Sequence, residues 1–305
     1  MSIRASFVRL GLRAFVKSRA GPIPDLAASR KGYNSIKWLV PPPPRATRVT
    51  KHEIAGVKAV RVATPRSLPG RHMLYLHGGA YINGSPAHYR DFIWRIADVT
   101  SSSVLCIDYR LAPEYPFPAA LDDAVASYRW LLADGATPQQ LSIMGDSAGG
   151  GLTFATLLRL RDEGVPMPAA AVTLSPWTDL ALTGESIRTN ARLDVMLSAE
   201  QAPALASHYL GTADPRHPYV SPLYGDHAGL PPTLIHVGSE EVLLDDSVRI
   251  AERLRAAGCA VELEIWPRMP HVWHLFARVL PEARKAVTRI GVFVQQEMAA
   301  ADRKS

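Results

Sequence analysis

A serine stands at the centre of the pentapeptide Gly145-Asp146-Ser147-Ala148-Gly149. An apolar run at 141–144 precedes it and an apolar segment at 151–158 follows, so the pattern predicts a strand, a sharp turn and a helix. Glycines two positions either side of Ser147 permit a tight turn that Cβ atoms would block. Such a turn lifts a hydroxyl into a cleft, where it can serve as a nucleophile for acyl transfer. A Gly/Ser-rich loop can match this pattern by chance, so the interpretation depends on the partners of Ser147.

A neutral serine hydroxyl needs a base within hydrogen-bonding reach, and histidine suits that role near neutral pH. Of the ten histidines in the chain, His271 is the best placed, because it lies in the loop after the last predicted core strand. His274, three residues later, is predicted to lie on the following helix and is the second choice. A metal site at this pair is not favoured, because no thiolate or carboxylate cluster with ligand spacing accompanies it.

A carboxylate should hold the histidine in the correct tautomer and stabilise its positive charge. Four candidates follow the predicted strand 233–237, namely Glu240, Glu241, Asp245 and Asp246. The two aspartates precede a predicted helix at 248–254 and would serve as its N-terminal residues. Glu241 has no such structural role and is therefore the predicted acid, with Asp245 as the alternative.

Acyl transfer also requires backbone N–H groups directed at the negatively charged oxygen that forms. Ala148 follows the nucleophile directly and is expected to supply one. The other donors are predicted in the loop directly after the strand 73–76, at Gly78, Gly79 or Ala80. Glycine at the first two of these positions lets the backbone approach a substrate closely.

Alternating strands and helices are predicted to position these groups. The predicted strands cover 48–54, 58–63, 73–76, 104–107, 141–144, 170–174, 233–237 and 261–265. The predicted helices cover 88–99, 119–133, the segment after Ser147, 199–209, 248–254 and 281–298. The first two strands are expected to form an antiparallel edge pair, and the rest a parallel sheet with helices on both faces. Ligands of such sheets bind beyond the carboxyl ends of the strands, where all the candidate groups fall.

The composition is that of a globular protein with a sizeable core. The chain has 305 residues, 47% of them hydrophobic and 20% charged. No apolar stretch approaches the roughly 18 residues of a membrane span. Arginines interrupt the apolar residues of the N-terminus, so no signal-peptide core is predicted. Cys106 and Cys259 are predicted to be buried thiols, and the expected location is cytoplasmic.

The net charge of +6 is concentrated in residues 1–45, which carry nine basic residues against one acidic residue, or +8. The remainder is −2, so no nucleic-acid partner is expected. Apolar residues recur at helical spacing near the N-terminus, at Ile3, Phe7, Leu10 and Phe15. This pattern predicts an amphipathic helix ending near Gly21-Pro22. The helix either lies on a membrane surface, as a weak contact, or covers a hydrophobic face of its own protein, and the second interpretation is favoured.

More than fifty residues separate the strands at 170–174 and 233–237, which is too long for a simple crossover. The predicted domain organisation therefore has three parts. Residues 1–45 form an N-terminal helical arm, separated from the sheet by a polyproline spacer at 41–44. Residues 46–178 and 231–305 form the catalytic domain. Residues 179–230 form an insertion that, with the arm, caps the strand ends.

Five motifs together resemble the hormone-sensitive-lipase-like (bacterial family IV) serine esterases of the α/β-hydrolase superfamily. They are HGGA at 77–80, DYRLAPE at 108–114, GDSAGG at 145–150, SPWTDL at 175–180 and PHVWHLF at 270–276. The resemblance implies an α/β-hydrolase fold with a mostly parallel central sheet, helices on both faces and a helical cap. It also implies a carboxylesterase that acts on short- to medium-chain acyl esters through an acyl-enzyme intermediate, without a cofactor.

The resemblance further assigns the site. Ser147 and His271 match the family's nucleophile and base, and Glu241 stands where the family usually has an aspartate. Gly79, Ala80 and Ala148 are implied as oxyanion donors, and Gly78 as support for the turn. Ala80 replaces the usual third glycine of the motif, which keeps the N–H group but restricts its dihedral angles.

Other interpretations remain open at this point. An amidase or carbamate hydrolase would use the same serine, acid and histidine. A non-catalytic ligand-binding relative would lack one of them, whereas candidates for all three are present. Charged residues of the DYRLAPE motif are interpreted as a structural ion-pair network: Asp108, Arg110 and Glu114. The partner is expected to be a small-molecule ester, and a homodimer is compatible with the sequence.

Overall fold

The computed structural model describes residues 2–17 and 25–303. Its strands are β1 (Arg48–Ile54), β2 (Val57–Ala63), β3 (His72–Leu76), β4 (Ser103–Asp108), β5 (Leu141–Asp146), β6 (Ala170–Leu174), β7 (Thr233–Gly238) and β8 (Val261–Trp266). Within these residues they form one sheet in the order β1-β2-β4-β3-β5-β6-β7-β8. Each predicted strand is present, with ends that differ by at most two residues.

The pairing directions agree with the predicted organisation. β1 pairs with β2, and β2 with β4, in antiparallel fashion, while every other neighbouring pair is parallel. The predicted edge pair and the mostly parallel sheet are therefore confirmed. The carboxyl ends of β3, β5, β7 and β8 lie at one edge of the sheet, because these strands are parallel to one another through their neighbours.

The α-helices of the described residues are α1 (Ile3–Phe15), α2 (Leu26–Ile36), α3 (Pro86–Thr100), α4 (Ala119–Ala133), α5 (Ala148–Asp162), α6 (Ser186–Thr189), α7 (Ala202–Leu210), α8 (Leu244–Ala256) and α9 (Pro281–Asp302). The prediction at 119–133 is confirmed with the same bounds, and those at 88–99, 248–254 and 281–298 are confirmed with longer helices than expected. α7 begins three residues later than predicted, after Gln201. α2 and α6 were not predicted.

Hydrophobic cores cover both faces of the sheet. Alternate residues of β3 enter different cores: Leu74 and Leu76 join one, while Met73 and Tyr75 join the other. This division follows from the two-residue period of a strand. The first core contains buried residues of α4, α5 and α8, and the second contains buried residues of α3 and α9. The helices thus hold both faces of the sheet, as predicted.

The N-terminal helix is present, but its predicted orientation is wrong. Its large apolar residues face away from the protein, since Ile3, Phe7, Leu10 and Phe15 are 65–77% exposed. The opposite face packs instead, through the buried Ala5 and the partly buried Val8. α1 ends at Phe15, and the predicted end near Gly21-Pro22 lies outside the described residues. Among the described helices, none combines the length and the apolar character required to cross a bilayer.

The long segment between β6 and β7 carries α6, α7 and a 3₁₀ turn at Pro222–Tyr224. Residues of this segment, from Leu182 to Leu205, line the same cavity as Ser147. The division into arm, catalytic domain and cap stays a prediction.

The two cysteines are free thiols, Cys106 buried and Cys259 half-buried.

Candidate active site

Ser147 occupies a strained turn between β5 and α5. Its backbone angles, φ 53° and ψ −122°, lie where a residue with a Cβ atom is rarely found. The turn is held from both sides: the N–H of Ser147 donates to the Leu174 carbonyl at 2.8 Å, and its carbonyl accepts from Trp177 N at 2.9 Å. A Cβ atom at Gly149 would overlap the Leu76 carbonyl. The glycine therefore lets α5 lie directly against the end of β3.

Ser147 opens into a small, mainly apolar cavity of about 110 Å³. Its lining comes from three parts of the chain: the catalytic sheet edge, the loop after β7, and the segment between β6 and β7. The lining residues include Ala80, Trp177, Leu182, Ile187, Met196, Leu205 and Val242. A serine hydroxyl at the wall of an apolar cavity is the arrangement expected for an acyl-binding site.

The structure places His271 beside Glu241. His271 Nδ1 lies 2.6 Å from Glu241 Oε2, and both side chains are buried. Glu241 Oε1 accepts two further hydrogen bonds, from Ser175 Oγ at 2.8 Å and from Gly238 N at 2.6 Å. Three donors thus fix the carboxylate in one orientation. Such a carboxylate holds the histidine with Nδ1 protonated and leaves Nε2 as the basic nitrogen.

Neighbouring charges tune the basicity of His271. Burial lowers its pKa, whereas the Glu241 carboxylate raises it through both its charge and the hydrogen bond. The carboxylates of Asp194 and Asp146 act in the same direction, so the net pKa lies above its usual value of 6.5.

The other acidic candidates have different partners. Asp245, in the first turn of α8, accepts a hydrogen bond from Ser186 N at 2.8 Å. Asp246 accepts from Thr178 N and Asp179 N at 2.7 and 2.8 Å. Burial raises the pKa of Asp246 to about 8, with the nearby Asp179 charge adding to the rise. The predicted role of both aspartates as helix N-terminal residues is confirmed.

Glu240 and His274 likewise belong to other contacts. Glu240 forms ion pairs with Arg9 and Arg268. His274 is buried, with Nε2 3.0 Å from Nδ1 of His236. Burial holds the pKa of His274 well below its usual value, with smaller contributions from His236 and His271. A histidine of such low basicity is a weaker candidate for the base than His271.

The loop after β3 presents candidate oxyanion donors. Gly79 and Ala80 both have positive φ angles, 124° and 53°. Their N–H groups and that of Ala148 donate to no acceptor within the described part of the chain. The N–H of Gly78 differs, because it donates to Asp146 Oδ1 at 2.9 Å and lies 3.0 Å from the Tyr89 hydroxyl. Gly78 is thus engaged in holding the loop, so it is not a free donor.

Asp146 is a residue of the site to which the sequence assigned no role. It is fully buried, and its carboxylate accepts from Tyr75 Oη at 2.6 Å, Tyr89 Oη at 2.9 Å and Gly78 N. Burial raises its pKa to about 6, although these donors and the His271 charge oppose the rise. Asp146 therefore ties the loop after β3 to the serine turn. Its only sequence signal was its place in the GDSAGG motif.

Two polar residues of the segment after β6 hold the loop that carries Glu241. Asn190 Nδ2 donates to the Glu241 carbonyl at 2.9 Å. Asp194 Oδ2 accepts from Val242 N at 3.0 Å, while its other oxygen accepts from Met196 N and Leu197 N. Neither residue lies in a recognisable motif, so no sequence signal could have identified it.

The DYRLAPE motif forms ion pairs away from the reacting groups. Arg110 pairs with Asp123 at 2.7 Å, and Glu114 pairs with Arg30 at 2.5 Å. The predicted ion-pair role is confirmed for Arg110 and Glu114. Because Arg30 lies on α2, the second pair also fastens the N-terminal arm to this loop.

Comparisons with known proteins agree with the geometry. A family described as the alpha/beta hydrolase fold matches residues 73–275. The chain is 48% identical over 231 residues to the acetyl-hydrolase of Streptomyces hygroscopicus, covering 76% of this chain and 77% of that protein. It is 36% identical over 297 residues to the putative acetyl-hydrolase LipR of Mycobacterium tuberculosis, covering 95% and 94%.

Solved structures give the same result. The crystal structure of an esterase from the bacterial hormone-sensitive lipase family superposes with a TM-score of 0.92 at 42% sequence identity, covering 98% of this chain and 99% of that one. Both the family match and the relatives span well over half of this chain. The chain therefore belongs to the hormone-sensitive-lipase family of esterases with the α/β-hydrolase fold.

Proposed function

We propose that this carboxylesterase hydrolyses short- to medium-chain acyl esters, with preference for the short end, through Ser147, His271 and Glu241. The observation that carries the proposal is the buried 2.6 Å contact between His271 Nδ1 and Glu241, at the sheet edge where the strained Ser147 stands. The small apolar cavity at Ser147 supports short acyl groups. Two relatives described as acetyl-hydrolases support the same preference.

In the acylation step, Ser147 Oγ attacks the ester carbonyl carbon while His271 Nε2 takes the hydroxyl proton. Glu241 stabilises the imidazolium that results, through its hydrogen bond to Nδ1. The carbonyl oxygen becomes negatively charged and accepts hydrogen bonds from the N–H groups of Gly79, Ala80 and Ala148. The tetrahedral intermediate then breaks its bond to the alkoxy oxygen, which leaves as an alcohol with the proton from His271.

Deacylation repeats these steps with water as the nucleophile. His271 Nε2 takes a proton from the water, whose oxygen attacks the acyl carbon of the serine ester. The same N–H groups hold the second oxyanion. Collapse of this intermediate breaks the bond to Ser147 Oγ, returns the proton from His271 to the serine, and releases the carboxylic acid.

The direct test is Ser147→Ala. Turnover of p-nitrophenyl butyrate should fall to background, because no other group forms the acyl-enzyme. A fluorophosphonate probe should label the wild type but not the variant. Ser207→Ala is a matched control, since Ser207 is exposed on α7 and its hydroxyl donates to the Ala204 carbonyl. Undiminished turnover by a correctly folded Ser147→Ala would refute the assignment. Matched ester and amide substrates would separate an esterase from an amidase.

A further inference from the structure

α1 presents one apolar stripe to the outside. Ile3, Phe7 and Leu10 follow the i, i+4, i+7 spacing of a single helix face and are 77%, 70% and 65% exposed. The opposite face already packs on the core through Ala5 and Val8. Ordinary protein surfaces expose large apolar side chains singly, whereas here three lie next to one another on one helix face. Such a stripe marks an interaction surface.

Polar contacts of α1 fix this orientation. Arg9 pairs with Glu240 and donates to the Arg268 carbonyl at 2.9 Å. Arg13 donates to the Arg192 carbonyl at 2.8 Å, and Lys17, just after the helix, donates to the Ala191 carbonyl at 3.0 Å. Rolling the helix to bury its apolar stripe would break these contacts. The outward stripe is therefore a consequence of specific binding of the basic face to the protein.

The positive charge of the N-terminal arm favours an anionic partner over a second copy of the same arm. Residues 1–45 carry a formal net charge of +8, of which Arg9 and Arg30 are paired with Glu240 and Glu114. Among the described residues of the arm, the cations without an ion-pair partner include Arg4, Lys31 and Lys37. Self-association of this face by a two-fold axis would bring two such arms together, which their charges oppose. An anionic surface instead gains from both the cations and the apolar side chains.

A second part of the N-terminal arm, residues 37–39, also combines exposed apolar side chains with a basic one. Trp38 and Leu39, after α2, are 78% and 82% exposed, and Lys37 Nζ lies 5.5 Å from the centre of the Trp38 ring. Exposed tryptophan beside lysine is typical of segments that lie at the boundary between lipid headgroups and acyl chains. Both ends of the arm thus combine exposed apolar side chains with basic ones.

We infer that the N-terminal arm docks this protein on an anionic phospholipid surface, with α1 in the plane of the interface and the stripe of Ile3, Phe7 and Leu10 facing the acyl chains. The inference rests on exposure and charge and does not depend on the ester chemistry. Docking would place the segment between β6 and β7 near the lipid surface, because Arg13 and Lys17 bind the carbonyls of residues 192 and 191.

The test is sedimentation of the full chain with vesicles. Vesicles of phosphatidylcholine with phosphatidylglycerol should carry the wild type into the pellet, and phosphatidylcholine alone should carry less. Ile3→Ser/Phe7→Ser should lower the partition coefficient by about tenfold or more, because two apolar side chains no longer enter the interface. Val292→Ser is the control, because Val292 is an exposed apolar residue on α9, away from the N-terminal helix.

A second variant tests the charges independently of the apolar stripe. Arg4→Glu/Lys31→Glu should weaken binding to the anionic vesicles, as should raised salt. Turnover of a water-soluble p-nitrophenyl ester should stay unchanged in both double variants, which confirms their folding. Equal pelleting of wild type and Ile3→Ser/Phe7→Ser would overturn the inference. Absence of vesicle binding, or a wild-type dimer that becomes monomeric in this variant, would overturn it as well.

Discussion

The carboxylate of Glu241 holds His271 through one oxygen and is itself held by Ser175 and Gly238 through the other. Glu241→Gln keeps the shape but loses the charge, and an amide that donates to Nδ1 would select the wrong histidine tautomer. We expect kcat to fall by about 10³- to 10⁴-fold. Asp245→Asn is the matched control and should retain near wild-type turnover, since Asp245 binds Ser186 instead. Steady-state kinetics on p-nitrophenyl butyrate compare the two variants. If Asp245→Asn lost more activity than Glu241→Gln, the acid that holds His271 would be Asp245.

The pH profile tests the histidine itself. In the proposed mechanism the neutral form of His271 is the base, so kcat/KM should rise with pH as this side chain loses its proton. Because the pKa of His271 is raised by Glu241, the midpoint should lie above 6.5. In Glu241→Gln the carboxylate no longer opposes burial, so the residual activity should titrate at a lower pH. A profile that is flat between pH 5 and 9 in the wild type would contradict the role of His271.

At the scale of elements, Asp146 joins the end of β5 to β3 and α3. It binds the hydroxyls of Tyr75 and Tyr89 as well as the N–H of Gly78. Asp146→Ala leaves these buried donors without an acceptor, so we expect a loss of about 3 kcal/mol in the free energy of unfolding. Urea denaturation of the wild type and the variant measures this loss.

The matched control for this change is Asp134→Ala. Asp134 forms a partly exposed ion pair with Arg61, and such pairs contribute less than about 1 kcal/mol. The Asp146 variant should also lose turnover, because the loop with Gly79 and Ala80 is no longer tied to the serine turn. Equal stability losses for the two variants would show that Asp146 does not hold the site together.

The main elements could be predicted because each carries a local signal. β5 and α5 follow from apolar runs on either side of a glycine-flanked serine, and α4 follows from helical periodicity alone. α2 gave no such signal, because none of its residues is buried. Asp146, Asn190 and Asp194 could not be identified for another reason. Each of them binds at least one partner far away in the chain, so only the folded structure shows which distant groups they hold.

The orientation of α1 shows a related limit. Periodicity predicted a helix with an apolar face, and that helix is present. Periodicity cannot say which face meets the protein, because that depends on the surface below. Here the surface offers Glu240 and several backbone carbonyls, which bind the basic side chains of α1. The apolar face is therefore left outside, contrary to the expectation from the sequence.

Across the whole molecule, the parallel sheet gathers groups that are distant in sequence at one edge. The loop after β3, the turn after β5 and the loops after β7 and β8 all begin at carboxyl strand ends. The segment after β6 closes over them and supplies most of the cavity wall. We therefore expect substrate choice to depend on this segment and the chemistry to depend on the sheet edge. Acyl-chain preference should therefore change without loss of turnover when the segment is altered.

Leu205 on α7 provides the test, since it lines the cavity beside Ser147. The cavity of about 110 Å³ is small beside the ~300–1,000 Å³ of typical small-molecule sites, so the wild type should prefer acetyl and butyryl esters. Leu205→Ala enlarges it and should move the maximum of kcat/KM towards p-nitrophenyl hexanoate or octanoate. Leu210→Ala removes the same atoms from the same helix at a position that is not among the lining residues, and should leave the maximum in place. If both variants keep the wild-type preference, the cavity at Ser147 does not set the acyl length.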